Sequence, residues 1–448
     1  MDNRKRYIIA AVVAVVVIAL AGVLIWWFSR AGEQRDIVPD NAVAAMRLDF
    51  KKLMEQAEID RSQLKDVDNE TGIDFRQTVY GFVTPEGNIG LAAAVSDDDD
   101  LDDHLSGIRK RSGLTYGMLG TFIACHDGDK VLLMGPMASL HDEALMDEMA
   151  KLMDKDECTC VLLDSAEVQD APLSIRTSVS ALPGRIRNLI LPTSIKSLSA
   201  EALQMQISGM MKENKISMTA SLVTGNESLR EHIDKMLASL KPLTGNLVHQ
   251  GPQDPVIWLA VGVKGNEILD VLRSNESIRT ALLGANMCVD LDQMIKATDG
   301  DVQLSVSKLS LRQQEWIIDA QVDDESFMKN ASDWDMDKMH TYFGMAAPGV
   351  LYATNSMNQM QLAHETSPNT SLMLQMNQIK GSYLYATVNL KPLINTIAPA
   401  MMMLGYGKSF YNTVDYLNHL TFRIDDKAAA FDIVLDQNLS EIVRSWKK

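Results

Sequence analysis

The chain has 448 residues, 46% of them hydrophobic and 23% charged, with a formal net charge of −17. This composition supports a folded body with room for two or three domains and excludes a disordered chain. The acidic balance argues against nucleic acid as a partner, because phosphate contacts need clustered Lys and Arg.

The N-terminal hexapeptide MDNRKR is followed by Tyr7 to Phe28, which carry no charge. At ~1.5 Å per helical residue this run crosses a hydrocarbon core of ~30 Å. It is longer than the apolar stretch of a signal peptide, usually about 7–15 residues. Residues 7–28 therefore read as a transmembrane anchor, 1–6 as a cytoplasmic tail and 29–38 as a linker. Trp26, Trp27 and Phe28 stand where an interfacial aromatic belt belongs. Arg4, Lys5 and Arg6 precede the span, against Arg30 and Arg35 after it, so the positive-inside bias orients the body out of the cytoplasm. The expected location is a single-pass inner-membrane protein with its body in the periplasm. A signal cleaved near residues 29–31 is the alternative. No cysteine precedes Cys125, so no lipid-bearing cysteine opens the chain. The later apolar stretch TIAPAMMMLGYG is too short to span and reads as a buried helix end or loop.

The body repeats itself. VSDDDDLDDHL (95–105), VTGNESLREHI (223–233), QVDDESFMKNA (321–331) and VLDQNLSEIVRSW (434–446) each follow an apolar strand and precede helix-spaced apolar residues. In the first two, Val95 matches Val223, Leu101 matches Leu229 and His104 matches His232. Each strand is paired in sequence with a partner across a short polar turn, the pattern of a hairpin. A second element runs from strand straight into helix at 43–57, 256–272, 350–363 and 383–397. The expected fold is α+β, with antiparallel hairpin-built sheets, helices packed on one face and two pseudo-repeated halves, 39–245 and 246–448, joined at the Pro- and Gly-rich 240–255.

The six aspartates of 97–103 fall at the end of a strand and the first turn of a helix, where exposed N–H groups and the helix dipole favour Asp, Asn and Ser. The sister copy uses Gly225, Asn226, Glu227 and Ser228 there, and the spacing of a calcium-binding EF-hand is missing, so a helix cap is the expected role rather than a metal site. A second acid group, Asp290, Asp292, Asp299 and Asp301, reads as turn chemistry around Gly300. Cys158 and Cys160 read as strand, Cys125 and Cys288 as apolar strand-like positions, and all four as free thiols. The 27 methionines suggest core filling or an adaptable apolar surface rather than a copper site. The basic stretch 184–196 reads as a solvated face. The eight histidines form no metal-ligand spacing, and neither a nucleophile elbow, a phosphate-binding loop nor a dinucleotide fingerprint is present. No catalytic, cofactor-binding or metal residue is assigned.

Three stretches, IVPDNAVAAMRLDFKKLM, TGIDFRQTVYGFVTPEGNIGLAAAVSD and MCVDLDQMIKATDGDVQLSV, resemble a Bacteroidota family of envelope proteins, usually lipoproteins, classed only as a domain of unknown function. The resemblance extends over most of 37–448. The chain departs from it in having an apolar anchor and no lipid-bearing cysteine. The resemblance implies no catalytic residue, but it implies O-glycosylation at Asp-Ser-apolar sites, for which Ser165 in DSA is the candidate. The expected function is a membrane-anchored, periplasm-facing binding or scaffolding protein whose partner is an envelope protein or ligand. A hydrolase with a site assembled from scattered residues and an apolar-ligand or chaperone-like carrier with a Met-rich surface are the alternatives.

Overall fold

The computed structural model describes residues 34–57, 72–74, 76–136, 139–163, 171–178, 203–252, 254–309, 314–334, 340–362, 369–394, 416–425 and 428–445. Arg4, Lys5, Arg6, Trp26, Trp27, Phe28, Ser165, the basic stretch 184–196 and Met401–Met403 lie outside the described residues. Among the described residues, no helix is long and apolar enough to cross a membrane.

The chain forms two compact units, one of Met1–Ala181 with Gln206–Glu213, the other of Leu182–Met205 with Asn214–Lys448. The first carries β1 (Ala44–Leu48), β2 (Val79–Val83), β3 (Ile89–Ala94), β4 (Ser106–Arg111), β5 (Leu114–Leu119), β6 (Phe122–His126), β7 (Lys130–Gly135) and β8 (Leu173–Ser178). Their antiparallel neighbour order is β4-β5-β6-β7-β3-β2-β1-β8. β1 leads through the N-cap Asp49 into helix Phe50–Gln56. Four strands fill the stretch between helix Asp98–Asp103 and helix Glu143–Met153. Methionines are core material here: Met134, Met146 and Met149 are buried together with Ile123, Cys125 and Leu132. An unbranched thioether fills gaps that a branched side chain cannot.

β9 (Leu203–Lys212) runs across the division between the units. The second unit carries β10 (Lys215–Thr224), β11 (Ile257–Lys264), β12 (Thr298–Leu309), β13 (Gln314–Val322), β14 (Tyr342–Ala347), β15 (Val350–Thr354), β16 (Leu384–Asn389), β17 (Leu417–Ile424) and β18 (Ala429–Leu435). Their order is β10-β18-β17-β16-β11-β12-β13-β15-β14, again antiparallel throughout. The α+β character and the large antiparallel sheet arrangement thus agree with the sequence.

One neighbour pattern occurs in both units. β1 leads through a helix to the β2–β3 hairpin, with β8 on the open side of β1 and β7 beyond β3. β11 leads through helix Gly265–Ser274 and two further helices to the β12–β13 hairpin, with β16 on the open side of β11 and β15 beyond β13. The next element is helix Asp98–Asp103 after β3, and a 3₁₀ run, Ser326–Asp333, after β13. The third sister segment therefore opens a 3₁₀ helix instead of the expected α-helix. Phe327, which the sequence alignment sets against Leu101, is buried as Leu101 is.

Other sequence expectations need correction. Cys158 and Cys160 precede the 3₁₀ turn Val161–Leu163 and are not in a strand, and Cys288 lies in a turn after helix Glu276–Ala285. Apolar runs of four to six residues do not by themselves separate strand from turn. The expected turn at Asp299–Gly300 is an irregularity inside β12, where the pairing to β13 shifts between Thr298 and Val302 and Gly300 takes φ 139°.

Candidate functional site

In antiparallel strands, directly paired residues share a sheet face. Register therefore places Trp258 and Ala260 of β11, Asp301, Gln303 and Ser305 of β12, and Asp319 of β13 on one face of the second unit. This face is buried, yet it is polar. Gln303 and Asp319 are fully buried, Ser305 is 1% exposed and Asp301 2%. The cover is the 3₁₀ run Asn246–His249 and the short helices Thr370–Leu374 and Met376–Ile379, which pack Val248, Leu372 and Ile379 against Trp258 and Tyr385.

The polar groups are ordered by their hydrogen bonds. Trp258 Nε1 donates to Gln303 Oε1 at 3.2 Å, which fixes the amide orientation. Gln303 Nε2 then donates to Asp319 Oδ2 at 2.8 Å and to the Gln250 carbonyl at 3.2 Å. Asp319 Oδ1 and Ser305 Oγ are buried without a hydrogen-bond partner. Burial pushes the Asp319 carboxyl up to about 6, against the opposing pull of the Gln303 amide.

Farther across the same sheet, on β17, His419 Nδ1 lies 2.7 Å from Asn418 Oδ1. Asn418 Nδ2 donates to Asp436 Oδ1 at 2.6 Å, and Lys391 Nζ lies 2.5 Å from Asp436 Oδ2. Asn418 Oδ1 can only accept, so the imidazole carries its proton on Nδ1 and leaves Nε2 as a lone-pair donor. Burial, and then the charge of Lys215, hold His419 below its usual range. Burial works against the Asp436 carboxylate, but Lys391 and Asn418 outweigh it and lower its pKa. Lys215 itself pairs with Asp432 at 2.7 Å. Sequence reasoning missed this group: a lone His on an alternating strand looks like any other strand residue.

The acid run of the first unit does what a helix start requires. Asp97 accepts from the N–H groups of Asp99 and Asp100. In the sister copy Asn226, one alignment position later, accepts from Leu229 N. The buried leucines stay in register, at 1% exposure each, and the cap shifts to suit. Asp102 has a role that the sequence did not suggest, with its Oδ1 3.0 Å from Nε2 of the buried His126 on β6. Asp290 caps helix Leu291–Ala297, Asp292 pairs with Arg273, and Asp299 with Lys241. Among the described residues, no set of three or more His, Cys, Asp or Glu gathers as a metal site. All four cysteines are free thiols. A depression in the first unit is lined by Ile108 and Arg109 of β4 together with Met118, Leu140 and His141.

A family described as a domain of unknown function, DUF4836, matches residues 49–330, more than half of the chain. The chain belongs to the DUF4836 family. The DUF4836 match runs from the Asp49 cap into the 3₁₀ run after β13, so it includes the Gln303–Asp319 pair and leaves out His419. No curated protein matches the chain. Among solved structures, crystal form I of TP0453 is similar at 14% identity and a TM-score of 0.28, over 44% of this chain and 79% of that one.

Proposed function

We propose that this DUF4836 protein is anchored in a bacterial inner membrane by Tyr7–Phe28 and presents its body to the periplasm as a binding or scaffolding protein of the cell envelope. The observation that carries this reading is the charge-free run behind Arg4, Lys5 and Arg6. The conspicuous acidic groups of the body support a non-catalytic role, since Asp97, Asp142 and Asp290 are occupied as helix caps. The shared neighbour pattern supports a body made of two duplicated halves, 39–245 and 246–448. The units of compactness divide earlier, because β10 is hydrogen-bonded to β18. The test is a reporter active only outside the cytoplasm, fused after Lys448, together with crosslinking in cells and mass spectrometry of what is captured. An inactive reporter in an expressed, intact fusion would remove the anchor reading.

The His419–Asn418–Asp436 chain specifically favours a second reading, a hydrolase. A neutral imidazole with an oriented Nε2 is suited to take a proton from water. Under this reading His419→Ala abolishes hydrolysis of a substrate found by screening, while the fold remains intact.

A further inference from the structure

The outermost strand of the first unit's sheet is held by polar ties rather than by burial. β4 ends the neighbour order and, among the described residues, its backbone pairs with β5 alone. All six of its residues are exposed. Arg109 Nη1 donates to the Leu140 carbonyl at 3.0 Å, and Arg111 pairs with Glu143 at 2.8 Å and with Asp147 at 2.9 Å. Those two carboxylates neutralise Arg111. Arg109 and Lys110 have no carboxylate partner among the described residues. The aspartates of 97–103 do not supply one to Arg109. Asp102 turns to His126, which strand alternation places on the face opposite Tyr116 and Arg109. Beside Arg109 is Ile108, 42% exposed, and both border the depression that Met118, Leu140 and His141 complete.

An open strand edge offers unpaired N–H and C=O groups to any extended chain, and the flanking side chains decide which chain it takes. A second copy would bring the basic triplet Arg109–Arg111 up to its own like, and like charges across a strand pair are destabilising. An acidic strand instead gives Arg109 and Lys110 the counter-charge they lack. Gly107 at φ 71° and the register shift between Ser106 and Arg109 bulge the start of β4. Regular pairing on its outer side is therefore confined to the short stretch Ile108–Arg111. We propose that β4 is a docking edge for a short, extended, acidic segment of a partner protein, which seats one apolar side chain in the depression between Ile108, Met118 and Leu140. The proposal rests on the reading of the body as a binding protein and is independent of the membrane anchor.

The test uses the purified full-length chain in detergent, immobilised, and a pool of random synthetic octapeptides capped at both ends, so that side chains alone carry charge. Retained peptides, identified by mass spectrometry, are expected to be enriched several-fold in Asp and Glu over the input and to carry an apolar residue. Arg109→Glu is expected to lower their retention by about tenfold, the order expected when one counter-charge is reversed. Ile108→Ser, at an exposed position where the melting temperature should not change, is expected to lower it several-fold and stands in should Arg109→Glu not fold. Retained peptides with the composition of the input would overturn the proposal, and so would retention that both substitutions leave unchanged. Sedimentation without peptide is expected to show a monomer. A dimer that Ile108→Ser dissolves would give the edge to a second copy instead. Partners crosslinked in cells whose capture survives Arg109→Glu would leave the binding reading standing and remove β4 as their dock.

Discussion

Thr244 is bound to Asp301 through both its backbone and its side chain. Its N–H donates to Oδ1 at 2.9 Å and its hydroxyl to Oδ2 at 2.7 Å, and Gly245 N adds a third bond to Oδ2 at 2.8 Å. The carboxylate is 2% exposed. It therefore fastens the start of the 3₁₀ run Asn246–His249, and with it the segment covering the polar face, to β12. Asp301→Ala removes three charge-assisted bonds and strands buried N–H groups. We expect a loss of roughly 3 kcal/mol or more in urea unfolding, and about half that for Asp301→Asn, which keeps one acceptor. Equal stability of wild type and Asp301→Ala would show that the segment is held by Leu247 and Val248 alone.

The Asp319 carboxyl gives a pH dependence of definite sign. Its ordinary value is 3.8 and burial raises it to about 6 in the folded protein. The folded state thus binds the proton more tightly than the unfolded chain. The resulting stability is fully present below about pH 4 and is lost as pH rises through about 6. The titratable side chain opposite it across β13 and β15 is Tyr352, which burial keeps raised and neutral in this range. Asp319→Asn should be more stable than wild type near pH 8 by up to roughly 3 kcal/mol and should lose this component of the pH profile. Parallel profiles for the two proteins between pH 4 and 7 would exclude Asp319 as the titrating group.

The sequence showed the hairpins and the strand-to-helix units because their apolar periods are regular and their turns short, as in β2–β3 and β11 with its helix. It did not reveal the four-stranded stretch β4–β7, although Gly113, Gly120 and Gly128 all take positive φ at its turns. Every residue of β4, which opens the stretch, is exposed, so no apolar alternation marks its start. The polar face was hidden for the opposite reason. Asp301, Gln303 and Ser305 alternate with Val302, Leu304 and Val306, which looks like a strand with a solvated side. Only the cover of 243–251 and 370–379 turns that side inward. A sequence pattern tells which residues share a face but not which element lies over it.

The cysteines should differ in reactivity. Cys125 and Cys160 are fully buried. Burial pushes the Cys125 thiol up to about 12, despite its contact with Tyr116, and raises that of Cys160. Cys158 and Cys288 are half-buried. The thiolate is the reacting species, so a native-state alkylation time course should label Cys158 and Cys288 well before the other two. All four should label together in denaturant. Fast native labelling of Cys125 would mean that the β5–β6 region opens far more readily than its packing implies.

The aspartates of 97–103 divide into one capping group, one tie and several bystanders. Asp97 accepts two backbone N–H groups at 3.1 Å each. Asp102 reaches the buried His126. Asp98, Asp99 and Asp100 occupy the first turn, where negative charge meets the positive end of the helix dipole. Their gain is small, because a six-residue helix has a weak dipole field at an exposed surface and the three carboxylates repel one another. Replacing Asp98, Asp99 and Asp100 by Asn, Glu and Ser should therefore leave the melting temperature nearly unchanged, with or without calcium. Asp97→Ala should cost about 1 kcal/mol, the usual worth of an N-cap. Asp102→Ala should cost a comparable amount or more, since it leaves both nitrogens of the buried imidazole without partners, Nδ1 having none already. A large calcium-dependent rise in melting temperature that disappears with the triple replacement would instead show that the bystander carboxylates act together on a metal ion, and the cap account of this helix would fail.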